Sequence, residues 1–200
     1  MTSHRHTATD PAVAADPVLS AAHACVIEVG LRRTTLADIA RRAGVSRMTL
    51  YRTYGDLSGI VSALLTCELV ALIDRARSDV GARAGVREQL VETAVLVVER
   101  LVEHPLYRRV LDLDPELLLP LVVDRLGSTQ QAAAELVAAQ VGQGQRDGSI
   151  RPVDPRLAAT CMLLTAQSFV FSARVVEAEH GAASGALGEL RRLLDGYLAP

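Results

Sequence analysis

The side chains with the clearest capacity for chemistry lie close together in the first third of the chain. Arg47 and Arg52 carry guanidinium groups, which can pair with a phosphate or a guanine edge through two parallel hydrogen bonds. Thr49 adds a hydroxyl that can bond a phosphate or a base, and Met48 can contact a thymine methyl. These residue types in this order predict a surface that binds nucleic acid.

Two short helices must position these side chains. Thr35 is predicted to cap the first helix, and Asp38, three residues later, can reach back as in a capping box. Gly44 is predicted to end that helix, because glycine adopts a positive φ without steric cost. Ser46 is the predicted cap of the second helix, which continues to about Thr53.

The second helix has two different sides. Leu50, Thr53 and Tyr54 are expected to pack back on the first helix, so Tyr54 is interpreted as structural. The arginines, Met48 and Tyr51 share the other side. A short helix with outward arginines after a capped glycine turn is typical of a helix-turn-helix, whose second helix enters the DNA major groove.

Residues 18–55 resemble, without a gap, the N-terminal DNA-binding domain of the TetR/AcrR family of bacterial transcriptional regulators. The agreement begins with a helix that ends at Gly30. It continues through Thr34-Thr35-Leu36-Ala37-Asp38-Ile39-Ala40, Ala43-Gly44-Val45-Ser46 and Thr49-Leu50-Tyr51. Two positions depart from the family pattern: Val26 replaces the usual aromatic residue, and Leu57 replaces the usual lysine that contacts a phosphate.

The resemblance implies a transcriptional regulator, most often a ligand-responsive dimeric repressor that binds a palindromic operator of double-stranded DNA. It also implies that the hydroxyl of Tyr51 donates to a phosphate, as the matching tyrosine of the family does. The predicted DNA contacts are Thr35, Arg47, Met48, Thr49, Tyr51 and Arg52. In a two-fold dimer, two such helices lie about 34–36 Å apart, one turn of the duplex.

Composition favours an all-α fold. Half of the 200 residues are hydrophobic, yet only 3% are aromatic, and such a core suits packed helices better than sheets. The pattern predicts about nine helices: a three-helix head, joined by a long helix to a larger C-terminal helical domain. The resemblance implies that this C-terminal domain is the ligand-binding and dimerisation domain. The net charge of −2 does not announce a DNA-binding protein, but residues 1–60 carry seven arginines against five acidic side chains. A local basic face is sufficient for binding DNA.

Three segments are predicted along the chain. Residues 1–14 are expected to form a flexible N-terminal tail, and residues 15–60 the DNA-binding domain with its motif at about 35–54. Residues 61–200 are expected to form a C-terminal helical domain, which the resemblance implies is regulatory and dimerises. The later helices are expected at residues 86–103, 116–125, 129–141, 156–176 and 187–198. By resemblance to the family, the helices at 156–176 and 187–198 form the homodimer interface.

The resemblance implies a small ligand in the C-terminal domain. That ligand is expected to be mostly apolar, because no charged residue lies between Arg156 and Arg174. The candidate pocket residues combine apolar walls with a few polar groups: Tyr107, Met162, Thr165, Gln167, Ser168 and Phe169. The same side chains would also suit a helical core or a subunit interface.

Nothing in the residue pattern indicates an enzyme or a metal site. The three cysteines are far apart, and the five histidines are scattered without a nucleophile beside them. We therefore predict no catalytic residue, no metal ligand and no cofactor. No apolar run approaches the roughly 18–20 residues of a membrane span, and no signal peptide is visible. A cytoplasmic protein without a membrane partner is expected.

A second hypothesis stays open at this point: a helical dimeric interaction module that has lost specific DNA binding. Leu57 motivates it, because a leucine cannot make the phosphate contact of a lysine. Salt-dependent DNA affinity separates the two hypotheses, since phosphate contacts weaken as salt is raised.

Overall fold

The computed structural model describes residues 10–82, 85–113, 127–181 and 185–200. Every regular element within these ranges is a helix, which confirms the predicted all-α class. In chain order the helices are α1 (Pro11–Ala15), α2 (Pro17–Val29), α3 (Leu36–Ala43), α4 (Arg47–Tyr54), α5 (Leu57–Val80), α6 (Val86–Glu103), α7 (Pro105–Leu113), α8 (Ser128–Arg146), α9 (Pro155–Phe171), α10 (Ala173–His180) and α11 (Ala186–Leu198).

The chain packs as two compact units. The first comprises Met1–Ala71 with His104–Thr129, and the second comprises Leu72–Glu103 with Gln130–Pro200. The domain boundary expected after residue 60 therefore differs from the boundary of packing, because the beginning of α5 and the helix α7 share a core with the helix-turn-helix. Three short helices have little core of their own, and additional helices enlarge it.

The core of the first unit draws on α1, α2, α3, α4, α5 and α7. Its most deeply buried side chains, each at most 1% exposed, include Ile39, Leu50, Ile60, Leu64 and Leu106. Full burial of a side chain of this size contributes about 1.5–3 kcal/mol. The side chains that α5 and α7 bury against the short helices of the head therefore contribute to the stability of the head.

The second unit is built on α6, α9 and α11, which pack on one another. Its buried side chains include Leu90, Val98, Met162, Leu190 and Leu194. At the surface of this unit, the guanidinium of Arg191 donates two hydrogen bonds to Glu92, at 2.6 and 2.9 Å.

Residues 10–14, which were predicted to belong to a flexible tail, are helical or cap a helix. Asp10 caps α1 by accepting a hydrogen bond from the amide of Ala12 at 2.8 Å, and Pro11 occupies the first helical position. The side chain of Val13 is fully buried in the core of the first unit. A single apolar residue has no periodicity, so the sequence pattern did not reveal this anchor. Residues 1–9 lie outside the described residues.

The helix predicted over residues 156–176 is two helices, α9 and α10, which meet at Ser172 with a bend of 54°. Hydroxyls of α9 bond back to carbonyls of its preceding turn, as in Thr165 to Cys161 and Ser168 to Thr165. Such side chains compete for the backbone and often bend helices.

The other differences concern helix number and ends. α1 and α7 are short helices beyond the nine that were expected, and the helix predicted over residues 116–125 lies outside the described residues. α8 continues past the predicted end at Val141 and through two glycines to Arg146. Glycine costs about 1 kcal/mol inside a helix, and the complete burial of Val141 offsets part of that cost.

Within the described residues, α5 alone is long and apolar enough to cross a membrane, so the expectation that no such run exists was wrong. A second candidate arises only if α9 and α10 are taken together across their bend. The middle of α5 carries Glu68, which is 1% exposed and lies near His23 and His104. A buried carboxylate with protein partners is a feature of a core helix in a folded unit.

Candidate nucleic-acid interface

The cap of α3 forms as predicted. The hydroxyl of Thr35 accepts a hydrogen bond from the amide of Asp38 at 3.2 Å and donates to the carboxylate of Asp38 at 2.5 Å. The carboxylate therefore reaches back to the cap hydroxyl. Because that hydroxyl has a single proton, its donor capacity is already used within the motif.

The turn between the two helices also follows the prediction. Gly44 ends α3 with a φ of +69°, the left-handed conformation that glycine adopts most readily. Ser46 caps α4 by accepting from the amide of Thr49 at 3.1 Å, and the two hydroxyls of this pair lie 2.9 Å apart. The cap fixes the residue at which α4 begins, and the exposed N-terminus of α4 carries the positive end of the helix dipole.

The two sides of α4 are separated almost as expected. Leu50 is 1% exposed, whereas Met48 is 74% and Tyr51 52% exposed. Arg47 and Arg52 are exposed on the same outward side, and Thr49 is partly buried beside its cap. Thr53, which was predicted to pack inward, is exposed, because Leu50 and Tyr54 already occupy the inward side of this short helix.

The arginines of α3 and α4 differ in their partners. Those at the end of α3 pair with acidic side chains: Arg41 with Asp38 at 2.8 Å, and Arg42 with Glu28 at 2.7 and 2.9 Å. Hydrogen bonding to Arg42 lowers the pKa of Glu28 and, in return, raises the pKa of Arg42. Arg47 and Arg52 have no ion pair or hydrogen bond within the parts of the chain that the structure describes. Their guanidinium groups are available to a ligand.

Two contacts behind α4 were not predicted. Asp16 caps α2, and its second carboxylate oxygen accepts a hydrogen bond from the hydroxyl of Tyr54 at 3.0 Å. Leu57, at the first position of α5, is partly buried against the core of the first unit. The sequence indicated the cap and the missing lysine, but neither partner could be found from local spacing.

A buried cluster of ionisable side chains was also missed. Glu68 on α5 lies 3.8 Å from the Nε2 of His23 and 3.6 Å from the Nε2 of His104. Burial lowers the pKa of His23, while Glu68 acts in the opposite direction. Residues 23, 68 and 104 have no sequence spacing that could signal this contact. Among the described residues, no group of three or more histidine, cysteine or acidic side chains is arranged to hold a metal ion.

The six predicted pocket residues belong to both units. Tyr107 is in the first unit, where its hydroxyl donates to the carbonyl of Leu65 at 2.9 Å and burial raises its pKa. The other five are in the second unit. Gln167 accepts a hydrogen bond from Gln130, and Met162 is 3% exposed in the core.

The remaining three pocket candidates lie on the same helix, α9. Thr165 and Ser168 bond back to carbonyls of α9, and Phe169 packs against the core of the second unit. An open cavity of about 410 Å³ lies elsewhere in this unit, at the chain end. Its walls are Gln145, Gly148, Ile150, Arg151, Pro152, Val153 and Pro200. None of the six predicted pocket residues borders it.

Comparison with known proteins identifies the family. Residues 18–64 match the sequence profile described as "Bacterial regulatory proteins, tetR family". An uncharacterized HTH-type transcriptional regulator of Mycobacterium bovis is 40% identical over 181 residues, which are 90% of this chain and 92% of the relative. A regulator of Mycobacterium tuberculosis has the same identity and coverage. The chain belongs to the TetR family of helix-turn-helix transcriptional regulators.

Solved structures share the fold over about nine tenths of the chain. The TetR family repressor AlkX from a Dietzia species, implicated in biodegradation of n-alkanes, gives a TM-score of 0.66 at 20% identity and covers 90% of this chain and 92% of its own. FadR from Bacillus subtilis, solved with stearoyl-CoA, gives 0.58 at 18% identity, with 91% and 98% covered. At these identities the similarity concerns the fold. The relatives are transcriptional regulators, a class of protein that is not enzymatic.

Proposed function

We propose that this TetR-family regulator is a ligand-responsive dimeric repressor that binds a palindromic operator in the cytoplasm. The outward side of α4 carries the DNA-binding part of this proposal. Arg47 and Arg52 are exposed there without a partner among the described residues, and Met48 and Tyr51 are more than half exposed beside them. An exposed cationic helix after a capped turn suits the major groove.

Each predicted contact has a role on that surface. Arg47 and Arg52 pair with guanine edges or phosphates, and one bidentate pair with a guanine provides about 1–3 kcal/mol of discrimination. Tyr51 donates its hydroxyl to a phosphate, and Met48 packs against a thymine methyl. Thr49 can still donate to a phosphate if Ser46 is the donor between their two hydroxyls.

Thr35 contacts DNA differently in this proposal. Its hydroxyl proton is directed at Asp38, so the hydroxyl is not available as a donor to a phosphate. The contact is instead made by backbone N–H groups of the first turn of α3, which a phosphate can accept.

The homodimer forms through the helices predicted for it, here α9, α10 and α11. Their large exposed apolar side chains are Leu157, Leu164, Val175 and Leu193, all between 45% and 64% exposed. Exposed apolar side chains that recur on neighbouring helices mark an association surface. A two-fold pairing of this surface would cover it with a second copy and would present two reading helices to a palindrome.

The ligand we propose is small or slender and mostly apolar, and it binds in the C-terminal domain. The nearly uncharged α9 supports this, as do the alkane-related repressor and the stearoyl-CoA complex among the structural neighbours. Met162, Thr165, Gln167, Ser168 and Phe169 of the second unit remain the pocket candidates, whereas Tyr107 lies in the first unit. Ligand binding would shift the population of dimers away from the DNA-binding conformation. α5 contributes residues to both units and is the covalent route for this coupling.

Footprinting on DNA around the protein's own gene, at two salt concentrations, tests the proposal. We expect a protected site with two-fold symmetry and an affinity that falls as salt is raised. Absence of binding at low salt would instead favour the interaction module, which Leu57 supports because it packs on the core and offers no phosphate contact.

A further inference from the structure

We propose that Asp16, Tyr54 and Gly59 together set the orientation of the reading helix α4, with Tyr54 as the positioning residue. The inference rests on the DNA-binding function proposed above. None of the three touches DNA in this account, and their contacts meet at Tyr54, the last residue of α4. Asp16 bonds the side chain of Tyr54, and Gly59, which has no Cβ, allows α5 to pack closely against the carbonyl group of Tyr54.

The first contact is made by the carboxylate of Asp16, which accepts hydrogen bonds from both α2 and α4. One oxygen of Asp16 accepts from the amides of Val18 and Leu19, at 2.8 and 3.1 Å, and so begins α2. The other oxygen accepts from the hydroxyl of Tyr54, at 3.0 Å. The end of α4 is thereby bonded to the start of α2, although 38 positions separate the two residues.

This hydrogen bond lies in a partly buried place. Burial and the bond to Asp16 raise the pKa of Tyr54 to about 12, so the hydroxyl keeps its proton throughout the physiological range. A neutral hydroxyl that donates to a carboxylate makes a charge-assisted bond, which is stronger than a bond between neutral groups. The contact is therefore suited to fix a position rather than to switch.

The second contact is a close approach between the backbone of Gly59 in α5 and the carbonyl group of Tyr54 in α4. A Cβ placed on Gly59 would lie 2.0 Å from the carbonyl oxygen of Tyr54, a distance that no side chain tolerates. Glycine at this position allows the first turn of α5 to pack directly against the last residue of α4. The amide of Gly59 also donates to the cap residue Asp56 at 2.8 Å, which keeps that turn in place.

These two contacts affect the orientation of α4 because this helix is only eight residues long. Its inward side is anchored at Leu50, which is 1% exposed, and four residues later at Tyr54. One anchor leaves rotation about the contact free, whereas two anchors on one side define the azimuth of the helix. Base-edge hydrogen bonds weaken steeply with angle, and a binding site requires placement within about 0.5 Å and 10–20°.

The test uses Tyr54→Phe in the full chain, with the duplex that the unmodified protein selects from a random pool. We expect the affinity for the selected duplex to fall about three- to tenfold, the effect of one lost hydrogen bond. Affinity for random duplex and the salt slope should stay unchanged, because no phosphate contact is removed. Amide hydrogen exchange at the end of α4 should become faster.

Asp16→Ser provides the matching change on the other side of the bond. Serine still caps α2, but it is too short to reach the hydroxyl of Tyr54. If the proposed pair acts as one unit, Asp16→Ser lowers discrimination as Tyr54→Phe does. The double variant then loses no more than either single variant. If the double variant instead loses as much discrimination as the two single variants combined, the two residues do not act as a pair.

Ile60→Val is the control for stability. It removes one buried methylene from the same core without touching the hydrogen bond, and its melting temperature can be compared with that of Tyr54→Phe. The inference requires Ile60→Val to retain full discrimination. Equal loss in both variants at equal stability, or full discrimination in Tyr54→Phe, would overturn it. If the unmodified protein selects no duplex, the proposed function itself fails, and this inference with it.

Discussion

The outward side of α4 and the outward sides of α9, α10 and α11 are both exposed, but the first is cationic and the second is apolar. α4 carries two arginines without partners among the described residues, while the later helices carry leucines and a valine that are 45–64% exposed. Salt screens the first kind of surface and does not weaken the second. Unpartnered cations indicate a polyanion, whereas repeated apolar side chains indicate another apolar surface. The exposed fraction of the side chains alone does not tell a DNA-binding surface from an apolar association surface.

The exposed arginines of the helix-turn-helix also differ from one another in their partners. Arg41 and Arg42 lie just before the turn of the motif and Arg47 lies just after it, but acidic side chains pair with Arg41 and Arg42. A count of basic residues in this region therefore overstates the charge that DNA can meet. The useful quantity is the number of cations without a partner.

The largest effect is expected from replacing both arginines of α4, Arg47→Ala with Arg52→Ala. Each bidentate base pair is worth about 1–3 kcal/mol, so affinity for the operator should fall about a hundredfold or more. Fluorescence anisotropy with the footprinted duplex measures this. The paired variant Arg41→Ala with Arg42→Ala is the matched control and should lose less than about threefold. Equal losses in the two variants would remove the distinction between paired and unpartnered arginines.

The next effect concerns the apolar surface. Leu193→Asp places a charge on α11 where the side chain is 56% exposed, and burying that charge against a second copy is unfavourable. The dimer dissociation constant should rise at least about tenfold, measured by analytical ultracentrifugation. Leu136→Asp, on α8 at 39% exposure, is the control and should leave dimerisation unchanged. Weaker dimerisation in the control alone would move the interface to α8.

A third variant converts a paired arginine into an unpartnered one. Glu28→Gln removes the charge that accepts from Arg42 through two oxygens, 2.7 and 2.9 Å from its nitrogens. If the released guanidinium reaches a phosphate, the plot of log affinity against log salt becomes steeper by about one unit. Titration of DNA binding between low and moderate salt measures the slope. An unchanged slope would show that Arg42 lies beyond the reach of the duplex.

The smallest effect is a dependence of stability on pH at the buried cluster of the first unit. The pKa of His23 lies below its ordinary value of 6.5 because burial disfavours the charged ring; the charge of Glu68 raises it and His104 lowers it further. Below pH 6.5 the unfolded chain therefore binds more protons at this site than the folded chain, and acidification lowers the free energy of unfolding.

Thermal unfolding between pH 7 and pH 5.5 tests this. We expect the melting temperature to fall on acidification and His23→Gln to reduce the fall. His180→Gln, an exposed histidine of α10, is the control and should leave the profile unchanged. A variant at position 23 with the same profile as the unmodified protein would assign the pH dependence to other groups.

Much of the DNA-reading half was predictable because its determinants are local. Thr35 and Ser46 cap helices through residues three positions later, and both caps are present. The all-α class followed from composition and the TetR family from a dozen positions at fixed spacing. The bend at Ser172 and the burial of Val13 were not predictable, since neither has a local periodic signal.

The sequence by itself determined the all-α class, the helices α3 and α4 with their caps, and most of the side chains of α4 that face outward, because caps and helix faces depend on residues within about one helical turn. Tertiary structure alone decided that Arg42 is neutralised by Glu28, that Tyr54 is bonded to Asp16, and that Glu68 lies between two histidines. These partners are 14 to 45 positions apart. Such pairs form only where packing brings helices together, and no spacing along the chain encodes them.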